Sequence, residues 1–177
     1  MNDLFQKTFA DSDSSGLNSI QLDASFFHES KSAFSNGEKY VVFCLGASYF
    51  AVSLKKVSEV VQRLSVTSLP GVPAWLLGIA ELRGEVISVV SLQKLLGAPD
   101  GDVSSNTKFV VLKSPKFSSS VALAVDKLGE IVVLVNEEIQ LVEDEKTPYL
   151  LGKSAYKSLH ALNLIDTENL LASLTIC

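Results

Sequence analysis

The sequence LPGVPAWLLGIAELRGEVISVVSL, at positions 69–92, constrains the fold more than any other part of the chain. Two prolines near its start fix φ and donate no backbone hydrogen bond, so they hold the backbone outside a regular ladder. Residues 78–82 and 86–92 then form two apolar runs on either side of Arg83-Gly84-Glu85. A short break that contains glycine between two such runs is typical of a β-hairpin. The sequence therefore predicts a hairpin whose tip carries an arginine.

The rest of the chain repeats this pattern of short apolar runs separated by polar breaks. Residues 40–45 and 49–54 flank Gly46-Ala47-Ser48 and predict a second hairpin. Many short strands with few helices predict a mainly β protein, mostly antiparallel, closed into barrels or stacked as a sandwich. The other predicted strands are residues 108–112, 120–126, 130–135, 150–153 and 160–165.

Three short helical segments are also expected. Residues 55–64 place apolar side chains at helical spacing and predict a short amphipathic helix. Residues 93–97 predict a turn or a helical stub, and Asp166 or Thr167 is suited to cap a closing helix. The apolar side chains that define the first and last of these helices are Val57, Val60, Val61 and Leu64, and Leu170, Leu171 and Leu174.

The composition limits the classes of partner. A net charge of −5 and a pI near 5.0 argue against nucleic acid, because phosphate binding needs a basic surface. No run approaches the roughly 20 apolar residues of a spanning helix, and the first residues do not resemble a secretory signal, so we expect a cytoplasmic protein without membrane insertion. Residues 1–37 are rich in polar side chains and predict a partly disordered extension before a domain at residues 38–177.

The chain shows no spaced set of catalytic or metal-binding residues. Its two histidines, His28 and His160, and its two cysteines, Cys44 and Cys177, lie far apart in sequence, and no nucleophile elbow or phosphate-binding loop is present. The sequence DSDSSG at positions 11–16 imitates the first half of an EF-hand loop, but Leu22 stands where the loop needs glutamate. We therefore expect no enzymatic activity, no metal and no cofactor.

The central segment resembles the signature of the CheW-like coupling domains of bacterial chemotaxis, in which two prolines precede an aromatic residue, a glycine and Leu-Arg-Gly. Two later stretches, LAVDKLGEIVVL with Asp126 and ALNLIDTENLLASL, are also similar to the family, and the resemblance covers about residues 38–174. The family commonly has asparagine, proline and aspartate where this chain has Glu81, Ser88 and Ser91. The residues that match the central signature are Pro70, Pro73, Trp75, Gly78, Leu82, Arg83, Gly84 and Leu92.

The resemblance implies a fold and a function. The fold would be two small five-stranded antiparallel SH3-like β-barrels packed together, with short helices at the edges. The function would be that of a non-catalytic adaptor that couples the cytoplasmic tip of chemoreceptors to the regulatory domain of a CheA-type histidine kinase, in chemotaxis or in pilus-driven motility. The family places Val57-Ser58-Glu59 on the helix after the first hairpin, with Glu59 paired to Arg83. The partner-binding residues implied are Val57, Glu59, Gly78, Arg83, Gly84 and Val86.

Other interpretations stay open at this point. Val57, Val60, Leu82 and Val86 suit a partner surface or an ordinary core equally well. A divergent CheW-like scaffold or competitor would bind only one partner. A β-barrel ligand-binding or enzymatic domain with only local resemblance would show a pocket lined by convergent polar groups. The stimulus, the particular receptor, the oligomeric state and the kinase-contact residues do not follow from the sequence.

Overall fold

The computed structural model describes the backbone of Ser19–Ile20 and residues 37–97, 103–116, 120–142, 147–157 and 160–175. Within these residues the chain forms mainly β-strands, joined by short turns and two 3₁₀ turns. The strands are β1 (Ser19–Ile20), β2 (Glu38–Leu45), β3 (Ser48–Ser53), β4 (Val57–Val61), β5 (Leu76–Leu82), β6 (Glu85–Ser91), β7 (Lys108–Leu112), β8 (Val121–Val125), β9 (Lys127–Leu134), β10 (Gln140–Leu141), β11 (Leu150–Tyr156) and β12 (His160–Ile165). The α-helices are α1 (Leu92–Leu95) and α2 (Thr167–Thr175).

The strands form two sheets of similar construction. The first sheet has the order β1-β4-β7-β8-β6-β5 and the second sheet the order β10-β11-β12-β3-β2-β9. Each contains five longer strands and one two-residue strand, β1 or β10. The pairings are antiparallel except β6 with β8 and β3 with β12. The predicted mainly β fold with two five-stranded units and short helices is thus confirmed, and each unit contains one parallel pair.

From β2 onward, the described chain crosses between the sheets twice. The hairpin of β2 and β3 belongs to the second sheet, and the 3₁₀ turn Leu54–Lys56 leads from it into β4 of the first sheet. Strands β4 to β8 complete the first sheet, and the chain returns to the second sheet at β9. Asp126 lies at this return, where its Oδ2 accepts a hydrogen bond from the Gly46 amide at 2.6 Å. The side chain of Asp126 therefore fixes the second crossing against the turn of the first hairpin.

The apolar residues form three clusters, one of which holds the two sheets together. One lies within the first sheet and includes Phe109 and Ile87, and another lies within the second sheet and includes Val42 and Leu162. The third and largest combines side chains of both sheets and of α2, and we call it the shared core. Its buried members are Val41, Phe43, Leu45, Phe50, Val52, Val90, Leu92, Val110, Leu112, Val121, Leu123, Val125, Tyr149, Ile165, Leu170 and Leu171.

The central strands bury both of their faces. In β2, Val41 and Phe43 enter the shared core, whereas Tyr40 and Val42 enter the cluster of the second sheet. Strand β8 is buried along its whole length, with alternate residues in the shared core and in the first-sheet cluster. Because successive side chains of a strand point to opposite faces, a strand buried on both sides requires an uninterrupted apolar run. This explains the sequences YVVFCL and VALAV.

The predicted helix at residues 55–64 is wrong. The structure has a 3₁₀ turn at Leu54–Lys56 followed by β4, in which the pairing with β7 shifts register between Val57 and Glu59. This bulge breaks the alternation of a regular strand, so that buried side chains recur at spacings that resemble those of a helix. The β-branched valines fit the strand better than they would fit a helix.

The other predicted elements are present, although β9 already begins at Lys127 and β11 extends to Tyr156. Both hairpins form, β12 has the predicted bounds, and the predicted stub at residues 93–97 corresponds to α1. Asp166 caps α2, since its Oδ1 accepts a hydrogen bond from the Asn169 amide at 3.0 Å. Leu170 and Leu171 are buried as predicted. The EF-hand-like residues 11–16, His28, the acidic residues 143–145 and Cys177 lie outside the described residues.

A close backbone contact explains why position 78 is glycine. Gly78 has φ of 144°, and an added Cβ would lie 2.1 Å from the carbonyl oxygen of Thr67. The Ile79 amide donates to that oxygen at 3.0 Å, and the Thr67 amide donates to the Ile79 carbonyl at 2.8 Å. These bonds hold the segment before β5 against the edge of the first sheet, where a side chain at position 78 would displace it.

We expect Gly78→Ala to lower the free energy of unfolding by roughly 2–4 kcal/mol, because it combines a backbone clash with an unfavourable φ. Gly71→Ala is the matched control, since Gly71 also has positive φ, at 74°, but has open space at its Cβ position. It should cost about 1–2 kcal/mol. Urea unfolding of both variants measures the difference, and equal losses would contradict the clash.

Candidate functional site

In the first sheet, an ion pair joins β4 to the tip of the β5–β6 hairpin. Arg83 Nε donates to Glu59 Oε1 at 3.0 Å, and Arg83 Nη2 donates to Glu59 Oε2 at 3.3 Å. The Glu59 side chain is only 8% exposed, whereas the Arg83 side chain is 49% exposed. Both carboxylate oxygens are thus bound by one guanidinium, an arrangement in which a buried charge is neutralised by a partner that reaches solvent. The pairing that the resemblance implies is present.

Two local backbone features bring these side chains together. The bulge in β4 lies directly before Glu59 and interrupts the alternation of side chains along the strand. At the hairpin tip, Arg83 and Gly84 have φ of 53° and 81° and form a two-residue loop between β5 and β6. Positive φ at both positions is the requirement of a type I′ turn, which matches the twist of paired strands. Arg83 is therefore held by the turn as well as by the ion pair.

The ion pair lies in a small cleft of about 150 Å³ on the first sheet. Its lining combines charged, hydroxyl and buried apolar side chains from β4, β7, the β5–β6 hairpin and the ends of the β7–β8 connection. Two acidic and two basic side chains are among them, so the cleft offers hydrogen-bond donors and acceptors. The lining residues are Ser58, Glu59, Leu82, Arg83, Glu85, Ile87, Val111, Lys113 and Ser120.

The structure brings some of the predicted partner-binding residues together and separates others. Glu59 and Arg83 line the cleft, Gly84 lies beside them in the turn, and Val86 follows on β6 with 65% of its surface exposed. Val57 is half-buried against the shared core, and Gly78 is buried under Thr67. Val60 and Leu82 are buried, and Leu82 also lines the cleft.

Sequence reasoning missed six of the cleft residues. Ser58, Glu85 and Ile87 lie close in sequence to Glu59 or Arg83, whereas Val111, Lys113 and Ser120 are far from the hairpin. The three distant residues reach the cleft because β7 pairs with β4 and β8 pairs with β7. Only knowledge of the strand order would have identified these three.

The residues predicted to have structural roles lie at the base of the β5–β6 hairpin. Pro70 and Gly71 fit the central positions of a type II turn, and the Pro73 carbonyl accepts a hydrogen bond from the Leu76 amide at 3.0 Å. Trp75 packs half-buried against the shared core, and its carbonyl accepts from the Ser91 amide at 2.8 Å. Leu92 is fully buried in the same core. The proline segment thereby connects the base of the hairpin to the shared core.

Ser91 departs from the family signature but makes a helix-capping hydrogen bond that the usual aspartate could also make. Ser91 is the N-cap of α1, and its Oγ accepts a hydrogen bond from the Lys94 amide at 3.2 Å. Serine and aspartate are both preferred at this position, so serine can replace the usual aspartate without loss of the cap. Ser88 is half-buried within β6, opposite Ile79 and Val121, and Glu81 is exposed on β5.

Elsewhere in the described residues, the structure offers little for catalysis. A larger cleft of about 430 Å³ lies between the proline segment and α1, and Lys94 is its one charged lining residue. Most of its other lining residues are apolar, so no acid–base pair converges there. No group of three or more histidine, cysteine or acidic side chains in the described part of the chain is placed to hold a metal ion. No described helix has the length and apolar content needed to cross a membrane.

Known proteins share this architecture. The family model for the CheW-like domain matches residues 39–175. The chemotaxis protein CheW of Bacillus subtilis is 25% identical over 138 residues, which cover 76% of this chain and 87% of the relative. CheW of Klebsiella aerogenes is 26% identical over 141 residues, with coverage of 77% and 83%. The crystal structure of the scaffolding protein TtCheW from Thermoanaerobacter tengcongensis superposes with a TM-score of 0.65 and 25% identity, and covers 73% of this chain and 88% of that one.

The described residues form two packed β-sheets with a charged cleft on the first sheet. The family model matches more than half of the chain, and the chain belongs to the CheW-like domain family. The predicted resemblance is confirmed, and so is the prediction of a coupling adaptor of the chemotaxis type that is not an enzyme. Coupling in this family connects receptors to a CheA kinase.

The Glu59–Arg83 pair should stabilise the hairpin as well as shape the cleft. We expect Arg83→Ala to lower the free energy of unfolding by about 2 kcal/mol, because it leaves a buried carboxylate without its partner. Alanine has the same restriction to negative φ as arginine, so the strain of the turn stays equal. Urea unfolding of Arg83→Ala, Glu59→Gln and the double variant gives the coupling energy of the pair.

Arg63→Ala is the matched control, since Arg63 is an exposed arginine shortly after β4. It should change the free energy of unfolding by less than about 0.5 kcal/mol. Strictly additive effects of the Glu59 and Arg83 substitutions would show that the two charges act independently.

Proposed function

We propose that the chain couples the cytoplasmic tip of chemoreceptors to the regulatory domain of a CheA-type histidine kinase, and that the receptor tip binds at the Glu59–Arg83 cleft. The observation that carries this proposal is a bidentate ion pair with a buried carboxylate at an exposed hairpin tip. The adaptor would act in the cytoplasm. Residues 38–177 would provide both binding surfaces, with residues 1–37 as an extension.

The surface around the ion pair supports a protein partner. Val86 exposes an apolar side chain on β6 beside the turn, and Arg83, Glu85 and Lys113 line the neighbouring cleft with charges of both signs. Protein–protein interfaces usually combine exposed apolar side chains with polar and charged groups. A helical hairpin would bind such a surface by packing against Val86 and by pairing with the charged side chains of the cleft.

Simultaneous binding is what distinguishes an adaptor from a one-partner scaffold. The kinase regulatory domain would bind away from the cleft, so that the receptor tip does not compete with it. A change in receptor packing would then move the adaptor and the kinase together, without any bond being made or broken in this chain. A competitor or cap would bind only one of the two partners.

We expect Val86→Ser to weaken binding of the receptor tip about tenfold while leaving the free energy of unfolding almost unchanged. A tenfold loss corresponds to about 1.4 kcal/mol, which is reasonable for removal of one exposed apolar contact from the centre of an interface. Leu141→Ser is the matched control, because Leu141 is 73% exposed on the second sheet. Titration of a receptor-tip fragment by calorimetry gives both affinities.

Co-assembly tests the whole proposal. The full chain should bind a receptor-tip fragment and a CheA regulatory domain separately, and all three should migrate as one complex in size-exclusion chromatography. Receptor binding that survives Arg83→Ala and Val86→Ser unchanged would place the receptor surface elsewhere. Binding of only one partner would instead favour the one-partner scaffold.

A further inference from the structure

Glu168 lies outside the cleft but contacts two segments that lead into it. It occupies the first turn of α2, where it accepts hydrogen bonds from Lys56 Nζ and, at 2.8 Å, from Ser114 Oγ. Lys116 Nζ lies 3.5 Å from Glu168 Oε2. One carboxylate of the second sheet's closing helix is therefore bound by donors from the crossing into β4 and from the segment after β7.

Both segments carry cleft residues directly beside their contact with Glu168. Lys56 immediately precedes β4, which supplies Ser58 and Glu59. Lys113, which lines the cleft, immediately precedes Ser114. The Lys113 amide also donates to the Lys56 carbonyl at 2.9 Å, so the two segments are joined to each other. Glu168 is thus hydrogen-bonded to two segments that each continue into a wall of the cleft.

The helix that carries Glu168 is itself firmly placed. Leu170 and Leu171 of α2 are buried in the shared core, and Asp166 caps the helix. Because the buried leucines and the cap both hold the backbone of α2, the position of its first turn is fixed. The segments that carry Lys56 and Ser114 are hydrogen-bonded to this turn. Of the groups that contact Glu168, Ser114 is buried and has a short side chain, whereas the two lysines have long side chains that are partly or largely exposed.

The charge at Glu168 persists over the physiological pH range. Hydrogen bonds from Lys56 and Ser114 lower the pKa of the Glu168 carboxyl from 4.5 to about 2. The cluster places one acidic and two basic side chains together. The carboxylate therefore keeps its partners until the pH falls well below 4.5, and it acts as a permanent contact.

We propose that Glu168 is a positioning residue for the cleft: it holds Lys113 and the start of β4 in the arrangement that receives the receptor tip. This inference rests on the function proposed above. It assigns a role in partner binding to a side chain of the second sheet that does not line the cleft. Binding at the first sheet would thereby depend on how α2 is seated in the shared core.

Glu168→Gln tests the role, because glutamine keeps the size and one acceptor but removes the charge. We expect the affinity for a receptor-tip fragment to fall about threefold to tenfold, with binding of the kinase regulatory domain unchanged. Without any partner, the NMR signals of the Lys113 amide and of Arg83 Nε–H should shift. Glu137→Gln is the matched control, since Glu137 is exposed in the 3₁₀ turn Asn136–Glu138 and the substitution removes the same charge.

A double variant checks the route of the effect. Ser114→Ala should reproduce part of the affinity loss, and Ser114→Ala combined with Glu168→Ala should lose no more than Glu168→Ala alone, because Glu168→Ala already removes the acceptor of the Ser114 hydrogen bond. A Glu168→Gln variant with a lower midpoint of thermal unfolding but unchanged NMR signals and receptor affinity would overturn the positioning role. Shifted NMR signals without any receptor binding by the wild-type chain would instead preserve the positioning role and reject the receptor site.

Discussion

The shared core is the constraint on which the rest of the structure depends. Each sheet packs one face on its own apolar cluster and the other face on the partner sheet, so neither sheet is complete alone. Val110 and Leu123 of the first sheet meet Val41 and Phe43 of the second in this core. The Glu59–Arg83 cleft lies on the first sheet, whose orientation relative to α2 is set by the same core. Folding and the proposed partner binding therefore depend on one packing interface.

Much of the fold could be predicted because strands buried on both faces leave long apolar runs. The runs in β2, β7 and β8 identify those strands directly, and glycine-containing breaks identify both hairpins. Residues 55–64 were mispredicted as a helix because a bulge in β4 removes the alternation on which strand prediction relies. The pairing order of the strands, including the two parallel pairs, is set by contacts between distant residues, and no local pattern reports it.

The candidate site divides in the same way. Arg83 and Glu59 were predictable because each lies within a short motif, and the motif spacing fits a family in which the two side chains pair. Lys113 and Ser120 were not predictable, since they enter the cleft only through pairing of β7 and β8 with their neighbours. Glu168 is further removed, because its effect passes through Lys56 and Ser114. A role that depends on residues distant in sequence can be identified only from the three-dimensional structure.

The two chain crossings make the first sheet, apart from β1, a continuous insertion within the second. Strands β4 to β8 pair among themselves, whereas β3 must find β12, and the Asn163 side chain reaches the Tyr49 carbonyl across 114 positions. Contacts between residues so distant in sequence are slow to form. During synthesis, strands β4 to β8 can pair with one another while the β2–β3 hairpin still lacks β12, so that Val41 and Phe43 are not yet fully covered. The second sheet and the shared core are complete only after β12 and α2 have left the ribosome.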